Sequence, residues 1–140
     1  MLLKVKRKVG ANLPTKFMQG NWIDLSAYGK RTLVKGEYAK IDLGVAIQLP
    51  KGYEAIIAPR SSTFVRYKII EANSIGVIDE AYCGDEDYWS FPVIAFEDTV
   101  IPHGARICQF RILEHQPQIF IDFVDVLGNK NRGGFGSTGV

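Results

Sequence analysis

A chain of 140 residues with 46% hydrophobic content is long enough to bury one ordinary core and short for two. Seventeen basic and 15 acidic residues leave a net charge of +2, which excludes the strongly basic field of a nucleic-acid or membrane-surface binder. No apolar stretch of signal-peptide or membrane-spanning length follows the basic opening MLLKVKRKVG, so the chain is expected in the cytoplasm, with no membrane and no direct nucleic-acid partner.

In chain order, short apolar or alternating runs predict strands over 3–5, 32–34, 38–49, 53–58, 74–78, 89–96, 105–113 and 119–126. Gly, Pro, Asn and Asp punctuate them. Only 61–70 reads as mildly helical, with Ser61 or Ser62 as N-cap. The pattern predicts an all-β jelly roll or barrel with one short helix, because closing or stacking sheets removes exposed edges. One β-rich domain over 1–126 is expected, followed by a mobile arm over 127–140. That arm holds the glycine-rich end NRGGFGSTGV, which has too little side chain to build a core.

Cys83 and Cys108 are the whole thiol inventory, and with His103 and His115 they match no familiar zinc spacing. Free thiols in a reducing compartment are expected. Four other stretches carry chemistry. In APRSST, residues 58–63, an arginine and two serines meet at a helix start, where free amides and a guanidinium favour an anion; an ordinary capped helix with a surface arginine is the commoner use of such residues. Gly76-Val77-Ile78-Asp79 reads as a buried strand ending in a carboxylate, ionised near pH 7 and able to act as a general base toward water. The plain alternative is a turn aspartate bonding its own backbone. Arg106 and Gln109 interrupt the apolar positions of a strand, which by itself says little. Asp24 in GNWIDLSA could face a metal-bound water or simply occupy a loop or cap.

Taken in order, these stretches resemble the five motifs of the trimeric deoxyuridine triphosphatases (dUTPases). The first is Asp24-Leu25-Ser26-Ala27, the second Pro59-Arg60-Ser61-Ser62, and the third Gly76-Val77-Ile78-Asp79 with Tyr82 and Gly84. The fourth runs from Gly104 to Gln109 and the fifth from Gly133 to Gly139. Five motifs in sequence, spanning about residue 13 to the end, are far more specific than any one of them.

The resemblance implies a distorted jelly-roll or β-clip fold and hydrolysis of dUTP to dUMP and pyrophosphate with Mg2+, limiting uracil incorporation into DNA. It also implies a homotrimer with sites shared between subunits. Asp79 would activate the water that attacks the α-phosphorus. Tyr82 would lie against the deoxyribose and exclude a 2′-hydroxyl, while Asn73, Gly76 and Ile78 would bond the uracil edge. Arg60, Ser61, Ser62 and Gln109 would hold the phosphates, with Arg106 also on the substrate. Asp24 and Gln109 would act on magnesium through bound waters, without a direct ligand. Phe135 would stack on the uracil, and Gly136, Ser137 and Thr138 would bond the terminal phosphates, so the tail would close as a lid.

Several positions depart from the family pattern. Trp22-Ile23 precede Asp24 where a glycine is usual two residues before it, Cys83 replaces a basic residue, and Arg132 stands three residues before Phe135 instead of five. The role of Arg132 is left open, as is a share of the lid's stacking for Tyr88, Trp89 or Phe91. Two other functions compete with this one: a dCTP deaminase of similar architecture, and a nucleotide sensor with a regulatory protein partner. Asp79 with a complete glycine tail favours hydrolysis over both, and the zinc deaminases lack their Pro-Cys-x-x-Cys pair here.

Overall fold

The structure, a computed structural model, describes residues 1–136 and 139. Twelve strands and one helix follow in the order β1 (Lys4–Arg7), β2 (Thr15–Lys16), β3 (Ile23–Ser26), β4 (Arg31–Leu33), β5 (Tyr38–Asp42), β6 (Val45–Gln48), β7 (Tyr53–Pro59), α1 (Thr63–Tyr67), β8 (Ile69–Glu71), β9 (Gly76–Ile78), β10 (Ser90–Ala95), β11 (Thr99–Ile101) and β12 (Arg106–Glu114). The strands pair antiparallel in four sheets, ordered β1-β6, β5-β10-β8, β11-β4 and β2-β3-β12-β7-β9. The all-β expectation is met, although among the described residues no sheet closes on itself as a barrel. No helix of the described residues is long and apolar enough to cross a membrane.

All four sheets point apolar side chains into one cluster that includes Leu25, Leu33, Ile41, Ile47, Ile57, Trp89, Phe91, Ile101 and Phe110. Strand alternation selects them: in β10 the inward positions Phe91, Val93 and Ala95 are buried and the intervening residues are not. Trp89 meets Phe110 edge to face, with centroids 5.2 Å apart and planes at 81°, an arrangement that adds about 1 kcal/mol beyond the buried area.

Three expectations need correction. The run 38–49 forms two strands in different sheets, because Gly44 (φ 68°) breaks it where the chain crosses closely over Ala11 and Tyr28. A Cβ at Gly44 would come within 2.7 Å of the Ala11 Cβ, so the break requires glycine. The helix is shorter than 61–70: Lys68 adopts a left-handed conformation (φ 51°) and hands the chain to β8. Residues 119–126 form no strand: they pair with none of the four sheets, and Phe120, Ile121, Phe123 and Val126 stand exposed.

The feature that positions the site lies in β12. Opposite β3, Arg106 pairs with Ser26 and Cys108 with Leu25, so Ile107 is one residue too many and the strand bulges. Side chains alternate with period two, so a regular strand would point Arg106 the same way as buried Cys108 and Phe110. The bulge buries Ile107 instead and turns Arg106 to the face that carries Gln109.

Candidate active site

Two groups of side chains emerge from this frame. On the five-stranded sheet Thr15, Asp24, Gln109 and Ala58 lie abreast in register, which puts Asp24 and Gln109 on one face. Asp24 is buried, and a buried carboxylate needs charged partners. Arg60 supplies one, its Nε 3.0 Å from Asp24 Oδ2. Arg106 supplies a second, its Nη1 3.4 Å from the same oxygen, while its guanidinium lies 4.8 Å from the centre of the Phe17 ring. Both guanidiniums address Oδ2, and Gln109 spends its Nε2 on the Pro59 carbonyl at 3.1 Å. Above them opens a cleft of about 260 Å³, lined by Phe17, Gly20, Asn21, Trp22, Asp24, Arg60, Ser61 and Gln109. Two arginines sharing one carboxylate leave a net positive charge beside this cleft, suited to phosphate.

Thr63, which sequence reasoning passed over, fixes the loop. Its buried Oγ1 accepts from the Arg60 amide at 2.9 Å and donates to the Ile107 carbonyl at 2.7 Å, tying the Arg60 turn to the bulge. Ser62 is the N-cap residue, as expected, but its side chain makes no capping bond. A third serine-type residue after Ser61-Ser62 was the available signal; nothing in the spacing marked it as the buried one. Phe17 and Trp22 were also missed, because their role depends on neighbouring strands.

The second group surrounds β9. Gly76 starts that strand against β7, where a Cβ would meet the Ile57 Cβ at 2.9 Å. Asp79 follows directly after β9 and is exposed, and its carbonyl accepts from the Tyr82 amide at 3.0 Å in the next turn. Asn73, Gly76, Ile78, Asp79 and Tyr82 line a cleft of about 300 Å³ together with Tyr88 and Trp89. Tyr82 Oη donates to the Tyr88 carbonyl at 3.3 Å, which orients its ring. Asp79 also borders a wider cleft of about 620 Å³ with Lys51, Glu54, Glu80, Cys83 and His115. Cys83 and Cys108 are free thiols, and burial pushes the Cys108 thiol well above its ordinary pKa, the Glu71 and Asp24 carboxylates adding to it.

Of the sequence-predicted residues, Asp24, Arg60, Ser61 and Gln109 line one cleft and Asn73, Gly76, Ile78, Asp79 and Tyr82 the other, while Ser62 and Arg106 line neither. Asp79 borders two of these clefts and Arg60 the third. Phe135 is fully exposed and Gly136 lies beside it, touching neither cleft, and the expected contacts of Ser137 and Thr138 lie outside the described residues. Phe91 is fully buried and Trp89 nearly so, which removes both from any stacking on a base; Tyr88 remains at the cleft.

This all-β fold is matched by known proteins. A family model described as dUTPase matches residues 19–139. The chain is 52% identical over 124 residues to an SPbeta prophage-derived deoxyuridine 5′-triphosphate nucleotidohydrolase of Bacillus subtilis, covering 89% of this chain and 87% of that one. In structure it resembles a mutant dUTPase of Staphylococcus bacteriophage 80alpha with dUpNHpp (TM-score 0.79, 20% identity, 99% of both chains). A mutant dUTPase from phage phi11 of S. aureus, described with a structural Mg(II) ion, is similar in fold (TM-score 0.77, 17% identity, 91% of this chain and 99% of that one). The chain belongs to the dUTPase family. Within that family of hydrolases it is a dUTP diphosphatase.

Proposed function

We propose that the chain cleaves dUTP to dUMP and pyrophosphate by attack on the α-phosphorus of a water held and deprotonated by Asp79. The observation that carries this reading is the exposed Asp79 carboxylate at the end of β9, in one cleft with Asn73, Gly76, Ile78 and Tyr82. A general base must reach its water, and an exposed carboxylate at a strand end is placed to do so. Asn73 and the backbone of 76–78 would read the uracil edge, and the Tyr82 ring would press on the sugar where a 2′-hydroxyl would sit. Arg60, Ser61, Ser62, Arg106 and Gln109 would hold the phosphates.

The residues present fit a magnesium ion bound through water. Asp24 keeps Oδ1 out of both ion pairs and Gln109 keeps its carbonyl oxygen free of the Pro59 contact, leaving two hard oxygen acceptors beside the cleft. The two guanidiniums disfavour a lone dication there, so magnesium would arrive with the triphosphate and neutralise its oxygens. Asp24 and Gln109 would accept hydrogen bonds from its waters and orient them.

The separation of the base-side and phosphate-side clefts supports a site completed by another subunit, in a homotrimer. The exposed apolar stretch 119–127 supports assembly as well, since such a run is costly in water. The arm carrying Phe135 to Thr138 would then close over a bound nucleotide, most simply on a neighbour, excluding water from the reacting phosphate. In the cytoplasm such turnover would keep dUTP from polymerases and limit uracil in DNA.

The test is incubation with magnesium and, separately, dUTP, dCTP, dTTP and UTP, following pyrophosphate and ammonia. Pyrophosphate from dUTP alone is expected. Ammonia from dCTP, or comparable cleavage of UTP, overturns the assignment of this pocket.

A further inference from the structure

Beneath the base-side cleft sits a carboxyl that the proposed chemistry does not use. Glu71 ends β8 facing inward, opposite Val93 of β10 in the core, and is 6% exposed. Neither carboxylate oxygen has a hydrogen-bonding partner. Such groups are rare in folded proteins, because leaving a buried acceptor unpaired costs free energy. Burial pushes its pKa up to about 7, and only the nearby Gly76 amide, short of a completed bond, pulls the other way. The carboxyl is in close packing there: a methyl group on Gly76 would come within 3.2 Å of Oε1.

The surroundings leave Glu71 little else to answer to. From β12 the titratable neighbour is the buried Cys108 thiol, with Asp24 and Arg60 beyond it. From β7, β9 and β10 come Ile57, Gly76 and Val93, which carry no charge. The connection from Glu71 to Gly76 is tight: the Ser74 amide donates to the Glu71 carbonyl at 3.3 Å, and Ser74 holds a left-handed conformation (φ 61°). Asn73 and Gly76, at either end of that turn, both line the cleft.

We propose that Glu71 is a positioning residue for the nucleotide: its ionised carboxylate draws in the Gly76 amide and fixes segment 73–78, so affinity depends on a proton that the ligand never touches. The inference rests on the assignment of this cleft to the base. A neutral Glu71 has no charge with which to hold the amide, and the turn relaxes. Because linkage is reciprocal, a nucleotide that prefers the fixed turn must lower the pKa of Glu71 by the same factor.

Calorimetric binding of dUpNHpp with magnesium tests this between pH 6 and pH 8 on the full chain and on Glu71→Gln, which keeps shape but holds no charge. The terminal phosphate also titrates near pH 6, so the difference between the two proteins is the readout. The unmodified chain is expected to gain about fivefold more affinity than the variant across that range, corresponding to a one-unit pKa shift. Carbon-detected NMR of the Glu71 carboxyl in the unmodified chain should show its midpoint falling by about one unit with saturating dUpNHpp. Equal pH dependence in both proteins, or an unmoved midpoint, overturns the coupling. Asn73→Ala reports on the cleft assignment alone: unchanged dUpNHpp affinity there overturns that assignment and the inference with it, whereas weakened binding beside equal pH dependence overturns only the role of Glu71.

Discussion

The two clefts are built by opposite means. On the phosphate side every charged group is already committed, with Arg60 and Arg106 on Asp24, Gln109 on Pro59 and Thr63 bridging the Arg60 turn to the β12 bulge. On the base side Asp79, Asn73 and Tyr82 are exposed on short connections. Positioned charge on a rigid sheet binds phosphate without having to be ordered first, which lowers the cost of binding. The exposed carboxylate, by contrast, acts at full strength only once other groups close over it and remove water. Under the proposed function one cleft anchors and the other reacts.

The contrast is broken most severely at the reacting side. Asp79→Asn should lower kcat by about 10³-fold, roughly 4 kcal/mol on the barrier, while nucleotide affinity stays within a few fold. Single-turnover pyrophosphate release checks it, and a near-normal rate removes Asp79 as base. On the anchoring side Asp24→Ala strands two guanidiniums and should cost about 3 kcal/mol of stability in denaturant unfolding. That loss should be larger than for any single change at Asp79, Asn73 or Tyr82, since those side chains are exposed.

Glu71 contributes a pH dependence of known sign. Its folded-state pKa of about 7 stands above the ordinary 4.5, so the folded chain binds the extra proton and is stabilised by it. That contribution is complete below pH 4.5 and is lost as pH rises to about 7. Glu71→Gln should therefore gain about 2–3 kcal/mol at pH 8 and almost nothing at pH 4, read from unfolding at the two pH values. Deleting 131–140 should lower turnover by ~10-fold or more, with the melting temperature unmoved because the described residues of the arm add nothing to the core. The smallest effect is Thr63→Val, about 1–2 kcal/mol from leaving the Arg60 amide and Ile107 carbonyl unpaired.

How much of this was legible in the sequence follows the range of the interactions involved. Strands such as β7, β10 and β12 alternate over six to nine residues and announce themselves. β2, β3, β8 and β11 span two to four residues, too few for a period to emerge, and they were missed. The apolar run 119–126 looked like a strand because composition reports a preference for burial, not which partner, if any, the segment pairs with. Motif order pointed to Asp24, Arg60, Asp79 and Tyr82, and the structure sorts them into clefts that no spacing could reveal. Arg106 was the least readable: its reach to Asp24 depends on the bulge, and neither Phe17 nor Thr63 carries a local mark of its task.

The bulge in β12 gives the site an unusual vulnerability. Its cationic face depends on the number of residues between Gly104 and Gln109 as much as on their kinds, because Ile107 is the supernumerary member of the ladder. Removing that one isoleucine would leave every polar side chain of the motif in place and Arg106 on its present face, yet take away the carbonyl to which Thr63 donates and so untie the Arg60 turn. A shortened chain of this kind would keep the vocabulary of the site and lose its grammar.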